Sequence, residues 1–248
     1  MKKYFVLMLT MLVSAALQAG ELDDLLDKHY QALGGKDKIK NVKSLKMSGK
    51  LVMKSPQGNM EIPFTGAMKK DGDDNLFRFD ATMQGMTMTQ SISKDGAWQL
   101  MPMMGVSEPQ DMNADEAKQL QKQADVNGPL WDYEKKGNKL ELVGKEDVEG
   151  TEAYKIKVTT EEGDEMSVFL DSEYFLIIKT NAVVKQMGME METDSFPSDY
   201  KEVGGVLMAH SMTSKTQMGE MIMQFESMEA NPDIPNTFFD KPAADKKE

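Results

Sequence analysis

Few side chains in this sequence could do chemistry. The 248 residues contain no cysteine, two histidines (His29 and His210) and a single arginine, Arg78, yet 24 methionines. Without cysteine there is no disulfide framework, thiolate metal site or cysteine nucleophile. His29 falls on the apolar side of an N-terminal helical pattern and reads as a packed residue. His210 has no acidic or serine neighbour at a suggestive spacing. The acid-rich stretches Asp71–Asp74 and Glu161–Asp164 lie between alternating segments and read as solvated hairpin ends. No catalytic constellation emerges, so the expectation is a protein that is not an enzyme and needs no cofactor. With 41 acidic against 29 basic residues and a formal net charge of −12, there is no basic face for nucleic acid. The acidic balance favours solubility over recognition of a partner.

That leaves the thioethers. In a strand, residues i and i+2 share a face, so each Met-x-Met pair sets two sulfur-bearing side chains side by side. Such pairs are Met86/Met88, Met101/Met103, Met187/Met189/Met191 and Met221/Met223, with Met47, Met53, Met60 and Met68 on neighbouring alternations. Three uses of this face are open. Methionine can fill gaps in a core covered by a helix. It can form a wall that repacks around varied apolar ligands. It can also bind Cu(I), for which thioethers are soft ligands. The methionines are spread over at least six predicted strands and follow the pleat, a distribution that suits a wall better than a metal cluster. Stable cores prefer residues with defined rotamers, which a methionine wall gives up.

The elements that must position these residues are mainly strands. Glu21–Leu33 places Leu22, Leu25, Leu26, His29, Tyr30 and Leu33 at helical spacing and ends at Gly34-Gly35. Lys36–Val42 predicts a second, short helix. From Ser44 the period changes to two. Alternating segments are expected at 45–53, 60–68, 76–83, 86–93, 98–103, 139–148, 153–160, 166–171, 175–185, 187–200, 206–216 and 220–229, with tight turns between them. Asn113–Asp125 interrupts them as a helix, with Asn113 and Glu116 as a capping box, and Gly128–Tyr133 reads as a further short helix. About 11–12 antiparallel strands cannot stay flat, so the fold class is mainly β, a single incompletely closed antiparallel barrel with two or three helices.

Ahead of this domain, Met1-Lys2-Lys3, the apolar run Tyr4–Leu17 and the small residues Ala19-Gly20 have the order of a secretory signal, with cleavage expected after Ala19. The apolar run is shorter than the roughly 20 residues of a membrane-spanning helix. Residues 20–240 then form one domain, and the charged, unpatterned residues 241–248 form a disordered tail.

Several segments resemble the LolA-type outer-membrane lipoprotein-sorting proteins. They are Tyr30–Lys50 (YQALGGKDKIKNVKSLKMSGK), Asp95–Pro102 (DGAWQLMP), Asp199–Met208 (DYKEVGGVLM) and Asn231–Phe239 (NPDIPNTFF). The resemblance spreads over most of the chain, although each motif by itself is weak. It implies an unclosed antiparallel barrel whose helices lid an apolar concavity, and a periplasmic carrier that accepts lipoprotein acyl chains and hands them to the outer membrane. Membrane-bound donor and acceptor proteins would be its partners, with the carrier itself a monomer. Relatives of the fold act as envelope-stress sensors or glycolipid carriers, so a sensor or interaction module is the alternative, beside a Met-based Cu(I) binder. The absence of a cysteine after the signal fits the soluble carrier type.

The site expected from pattern and resemblance together has a hydrophobic lining of Met47, Leu51, Ile62, Phe64, Phe77, Phe79, Met86, Met88, Met101, Met103, Met187, Met189, Met191, Met221 and Met223. Phe77 and Phe79 serve equally well as core, and Trp98 as an ordinary sheet-packing aromatic. Leu120, Leu130 and Trp131 are the lid candidates. The family's hand-over arginine, which precedes a proline at the end of an early strand, has Lys70 followed by Asp71 as its nearest equivalent, with Arg78 on the next strand. Each buried CH₂ contributes about 0.8 kcal/mol, so partial burial of a ~16-carbon chain supplies on the order of 5–10 kcal/mol, ample for carriage and still compatible with release.

Overall fold

Alternation of apolar and polar side chains makes strands here, and the turns between them are short enough to keep sequential strands paired. The computed structural model describes residues 20–54, 58–186, 189–217 and 219–243. The expected signal segment 1–19, Met187 and residues 244–248 of the expected tail lie outside the described residues.

The described chain begins in helix α1 (20–32), followed by α2 (Lys36–Asn41). Six strands come next: β1 (Ser44–Met53), β2 (Met60–Asp71), β3 (Asp74–Met83), β4 (Met86–Ser93), β5 (Gly96–Met101) and β6 (Val106–Asp111). Helix α3 (Ala114–Gln123) interrupts them. Seven more complete the sheet: β7 (Lys139–Val148), β8 (Thr151–Thr159), β9 (Glu165–Asp171), β10 (Ile177–Gln186), β11 (Met189–Val203), β12 (Val206–Thr216) and β13 (Gly219–Ala230). All thirteen lie in one antiparallel, unclosed sheet in the order β6-β5-β4-β3-β2-β1-β13-β12-β11-β10-β9-β8-β7. The chain thus builds outward from β1 to one edge, crosses through α3 and a loop to the far edge, and returns until β13 closes against β1.

The strand count exceeds the expected 11–12 because of β6. Its sequence VSEPQD has no apolar alternation and contains Pro109, whose missing amide costs little on an edge strand such as β6. Several boundaries also differ: the strand expected at 175–185 is Ile177–Gln186, and the one expected to end at Tyr200 runs on to Val203. Residues 129–137 form successive turns rather than a short helix, and the strand expected to reach Met103 stops at Met101, where Pro102–Met104 turn as a 3₁₀ segment.

The sheet must curl. Ala81 on β3 and Leu142 on β7 belong to one apolar cluster, although nine strand-to-strand steps separate their strands. In a flat sheet those steps would span roughly 43 Å. The cluster forms because the inward faces of both halves converge on α1. Leu22, Leu25, Leu26 and Tyr30 of α1 pack with Leu45, Met47, Ile62 and Phe64 from one half, and with Ile156, Val158, Val168 and Leu170 from the other.

The seam between halves depends on Gly49. It pairs with both Phe64 and Phe225, whose rings meet edge to face at 5.6 Å, and it sits at a register shift in the β1–β13 ladder. A Cβ there would collide with the Gln224 carbonyl oxygen. At the other end of α1, Gly34 lies against the carbonyl of Gly205, and the Leu207 amide donates to Leu33 O at 2.8 Å, which ties the helix end to the β11–β12 turn.

The outer face has its own fastening. Beyond β13 the chain crosses behind β2–β5, where Phe239 is fully buried near Ala67, Leu76 and Trp98. The Phe239 carbonyl accepts hydrogen bonds from Ser91 Oγ and Trp98 Nε1, both at 2.8 Å.

Candidate functional site

Strand register decides which side chains share the concave face. From β1 outward, Met53, Leu51, Gly49, Met47 and Leu45 pair with Met60, Ile62, Phe64, Gly66 and Met68 on β2. Those continue to Ala81, Phe79 and Phe77 on β3, and then to Met88, Gln90 and Ile92 on β4. In the other direction the same face runs through Met221, Met223 and Phe225 on β13 to Met212 on β12.

Burial along this face is graded. Toward the end where α1 is anchored, Leu45 and Met47 are buried. On the same strand Leu51 is half-buried and Met53 is 43% exposed. Its neighbours in the last row, Met60 and Met221, are 45% and 37% exposed. The exposed end is the one carrying the β1–β2, β3–β4 and β12–β13 turns. The face therefore has a floor, filled by α1 and by Leu130 and Trp131 of the crossing loop, and a methionine-rich rim whose last row stays 37–45% exposed.

The expected lining residues distribute over both parts. Met47, Ile62 and Phe64 are buried in the floor cluster, and Leu51, Phe79, Met88 and Met223 pack against it half-exposed. Phe77 is buried under α3 with Ile92, Leu120 and Ala124. Met86 lies at the rim, 38% exposed, paired with Met83 across the β3–β4 turn. Met101 is half-buried at the end of β5, and Met103 has left the strand in the 3₁₀ turn. Met191 is half-buried on β11 opposite Val184, and Met189 pairs with Gln186 two residues earlier in that strand.

The lid candidates occupy two places. Leu120 closes one side of the face through α3, whose start is fixed by a reciprocal cap: the Glu116 amide donates to Asn113 Oδ1 at 2.9 Å and the Asn113 amide to Glu116 Oε2 at 3.1 Å. Leu130 and Trp131 sit on the crossing loop, where Tyr30 Oη donates to Leu130 O at 2.8 Å and its ring meets that of Trp131 edge-on at 5.3 Å. Burial pushes the Tyr30 hydroxyl up to about 12, so it stays a donor. Beside it, Tyr30, Lys36 and residues 131–135 line a surface cleft of about 230 Å³ that holds no methionine.

The two hand-over candidates lie on opposite faces. Lys70 is half-buried on the inward face, two positions beyond Met68, and its amide donates to Lys43 O at 2.7 Å. Arg78 is on the outer face. Its guanidinium forms two hydrogen bonds with the Asp80 carboxylate, donates to Phe238 O at 2.9 Å and lies over the rings of Trp98 and Phe238. Those partners fasten the C-terminal crossing segment.

The expectation of helices over the concavity names no residue of α1 among the lining or lid candidates, although Leu22, Leu25 and Leu26 fill the floor. It also left out Met208 and Met212, half-buried on the inward side of β12 with the buried His210 between them. Their i, i+4 spacing, two strand repeats on one face, is the signal the sequence offers. His29, on α1, is buried and its Nδ1 lies 2.7 Å from Phe175 O. Burial holds its pKa below the ordinary 6.5. Among the described residues no group of three or more His, Asp or Glu is arranged to hold a metal ion.

No family model matches the sequence, and no curated protein does. Solved structures match its architecture. A DUF1329 family protein from Desulfovibrio piger is 12% identical, with a TM-score of 0.62 over 88% of this chain and 96% of its own. A domain described as an outer membrane lipoprotein-sorting protein from Vibrio parahaemolyticus is 12% identical, with a TM-score of 0.59 over 87% and 96%. A LolA superfamily protein from Nitrosomonas europaea is 13% identical, with a TM-score of 0.57 over 86% and 97%. The architecture is what such distant matches share: this chain has the LolA-like fold, an open antiparallel barrel with helices on its concave side.

Proposed function

We propose that the chain is an exported carrier that holds the acyl chain of a lipoprotein or lipid against the rim of its concave face, as part of outer-membrane sorting between a membrane-bound donor and acceptor. The observation that carries this reading is the burial gradient along one continuous apolar face. The floor is packed with the chain's own residues, while Leu51, Met88, Met212 and Met223, in the rows leading to the rim, remain half-exposed. Monomeric soluble proteins rarely leave contiguous apolar surface uncovered without a use for it. Unbranched thioether side chains let such a surface adapt to a flexible hydrocarbon. A guest longer than the rim would reach the floor only by displacing α1, which is tied to the sheet at its C-terminal end, or the Leu130–Trp131 loop between α3 and β7. Donor and acceptor proteins would then act on those two elements.

The test is native mass spectrometry of the protein purified from the cell envelope, with titration of a fluorescent fatty acid. The expected result is co-purified acyl species and saturable probe binding that Met221→Glu and Met223→Glu each weaken about tenfold or more. A protein that emerges free of lipid and shows no saturable binding would overturn the reading.

A further inference from the structure

In sequence Met53, Met60 and Met221 look unrelated; the register makes them one row. Met53 on β1 pairs directly with Met60 on β2 and with Met221 on β13, so the three side chains stand next to one another on the same face of three adjacent strands. Directly paired residues hold their Cβ atoms about 5 Å apart. Three rotatable bonds in each side chain allow both outer sulfurs to swing toward the central one. Met223 and Met212, themselves a pair between β13 and β12, stand in the next row. The row is apolar on its inner side, where Leu51 and Ile62 follow. On its flank the nearby ammonium of Lys54 is taken up by Glu220 at 2.6 Å.

Packing does not account for this row, because all three side chains are more than a third exposed. The methionines are distributed along the sequence, and the antiparallel pairing gathers them as no short motif would. We infer that Met53, Met60 and Met221 form a thioether site for a soft monovalent cation, Cu(I), with Ag(I) as its redox-inert stand-in. Three neutral sulfurs on an apolar surface match the coordination preference of a soft d¹⁰ ion and offer no anionic or imidazole ligand to Zn²⁺, Ca²⁺ or Mg²⁺. The inference does not depend on acyl carriage, which needs the surface to be apolar and not that it contain sulfur.

That difference sets the experiment. The exported chain without its signal is titrated with Cu(I) under ascorbate against bicinchoninate, beside an M53L/M60L/M221L variant and an M83L/M86L/M88L control. Leucine keeps the face apolar and of similar volume. The wild type and the control are expected to withdraw one Cu(I) from the chelator, and the row variant to bind about tenfold more weakly or worse. Fatty-acid binding is measured on the same samples as a separate readout; both triple substitutions keep the face apolar and are expected to alter it by similar factors. A loss of Cu(I) competition confined to the row variant supports the metal site, while absence of fatty-acid binding in the wild type counts against carriage and not against the metal site. Equal competition by wild type and row variant, or equal loss in the control, would overturn the inference. Should the row variant not fold by circular dichroism, methionine-methyl NMR of the wild type with Ag(I) decides. Joint displacement of the Met53, Met60 and Met221 resonances at one equivalent supports the site, and shifts spread over all methionines overturn it.

Discussion

The two halves of the sheet treat the same concave face in opposite ways. The half running from β7 to β10 contributes Leu142, Ile156, Val158, Val168 and Leu170 to the floor, with Tyr154, Met166 and Ile177 of the same face partly buried around them. The five floor residues are branched, and Ile156, Val158, Val168 and Leu170 have no measurable exposure. In the half formed by β13 and β1–β4, the inward positions are largely methionine and phenylalanine, and exposure rises toward the turns. Both halves obey one alternation and one register. Branched side chains with few rotamers suit a surface whose partner, α1, is fixed. Flexible side chains suit a surface whose partner varies or is absent.

The largest effect should come from cutting into the first kind of surface. Ile156→Ala removes a fully buried side chain facing α1 and is expected to destabilise the fold by about 2–5 kcal/mol, measured by urea unfolding. A loss under about 1 kcal/mol would mean that the floor is as deformable as the rim, and the contrast would collapse.

That contrast was only partly legible in the sequence. Strands such as Lys139–Val148 and Val206–Thr216 can be read to the residue, because Glu149-Gly150 and Gly204-Gly205 bracket them with turn chemistry. The cap of α3 was readable from two residues for the same local reason. Periodicity says which side of α1 is apolar but not what it packs against; the resemblance alone sets helices over the concavity, and it does not say which residues of α1 fill the floor. Nor could spacing show that Arg78 meets Phe238, a contact made only after the chain has passed through ten further strands. The candidate site suffered most, since rows across strands depend on register and not on neighbours in sequence.

A smaller effect tests how firmly α1 is seated. His29 lies between the helix and the β9–β10 turn, accepting burial in exchange for its contact with Phe175 O, while Lys28 sits over the Phe175 ring at 5.2 Å. The folded protein holds His29 below 6.5, so the unfolded chain takes up the proton first as the pH falls. The stabilisation is complete above the unfolded value and declines from about pH 6.5 downward toward the folded value. Melting temperature should fall with acidification in the wild type. In His29→Gln that fall should be shallower, because one linked proton is gone. Parallel curves for the two proteins would show that His29 does not report the seating of α1.

The smallest effect belongs to the rim. Met221→Ala removes a side chain already 37% exposed, in a row where no described residue packs over it. The expected change in folding stability is within about 0.5 kcal/mol, against several for the floor. If instead Met221→Ala costs as much as Ile156→Ala, the rim methionines are holding the barrel together. Their exposure would then have to be explained by packing, and neither a hydrocarbon guest nor a soft cation would be needed to account for them. A stability change near zero leaves function as the reason why a row of methionines stands at the mouth of the sheet.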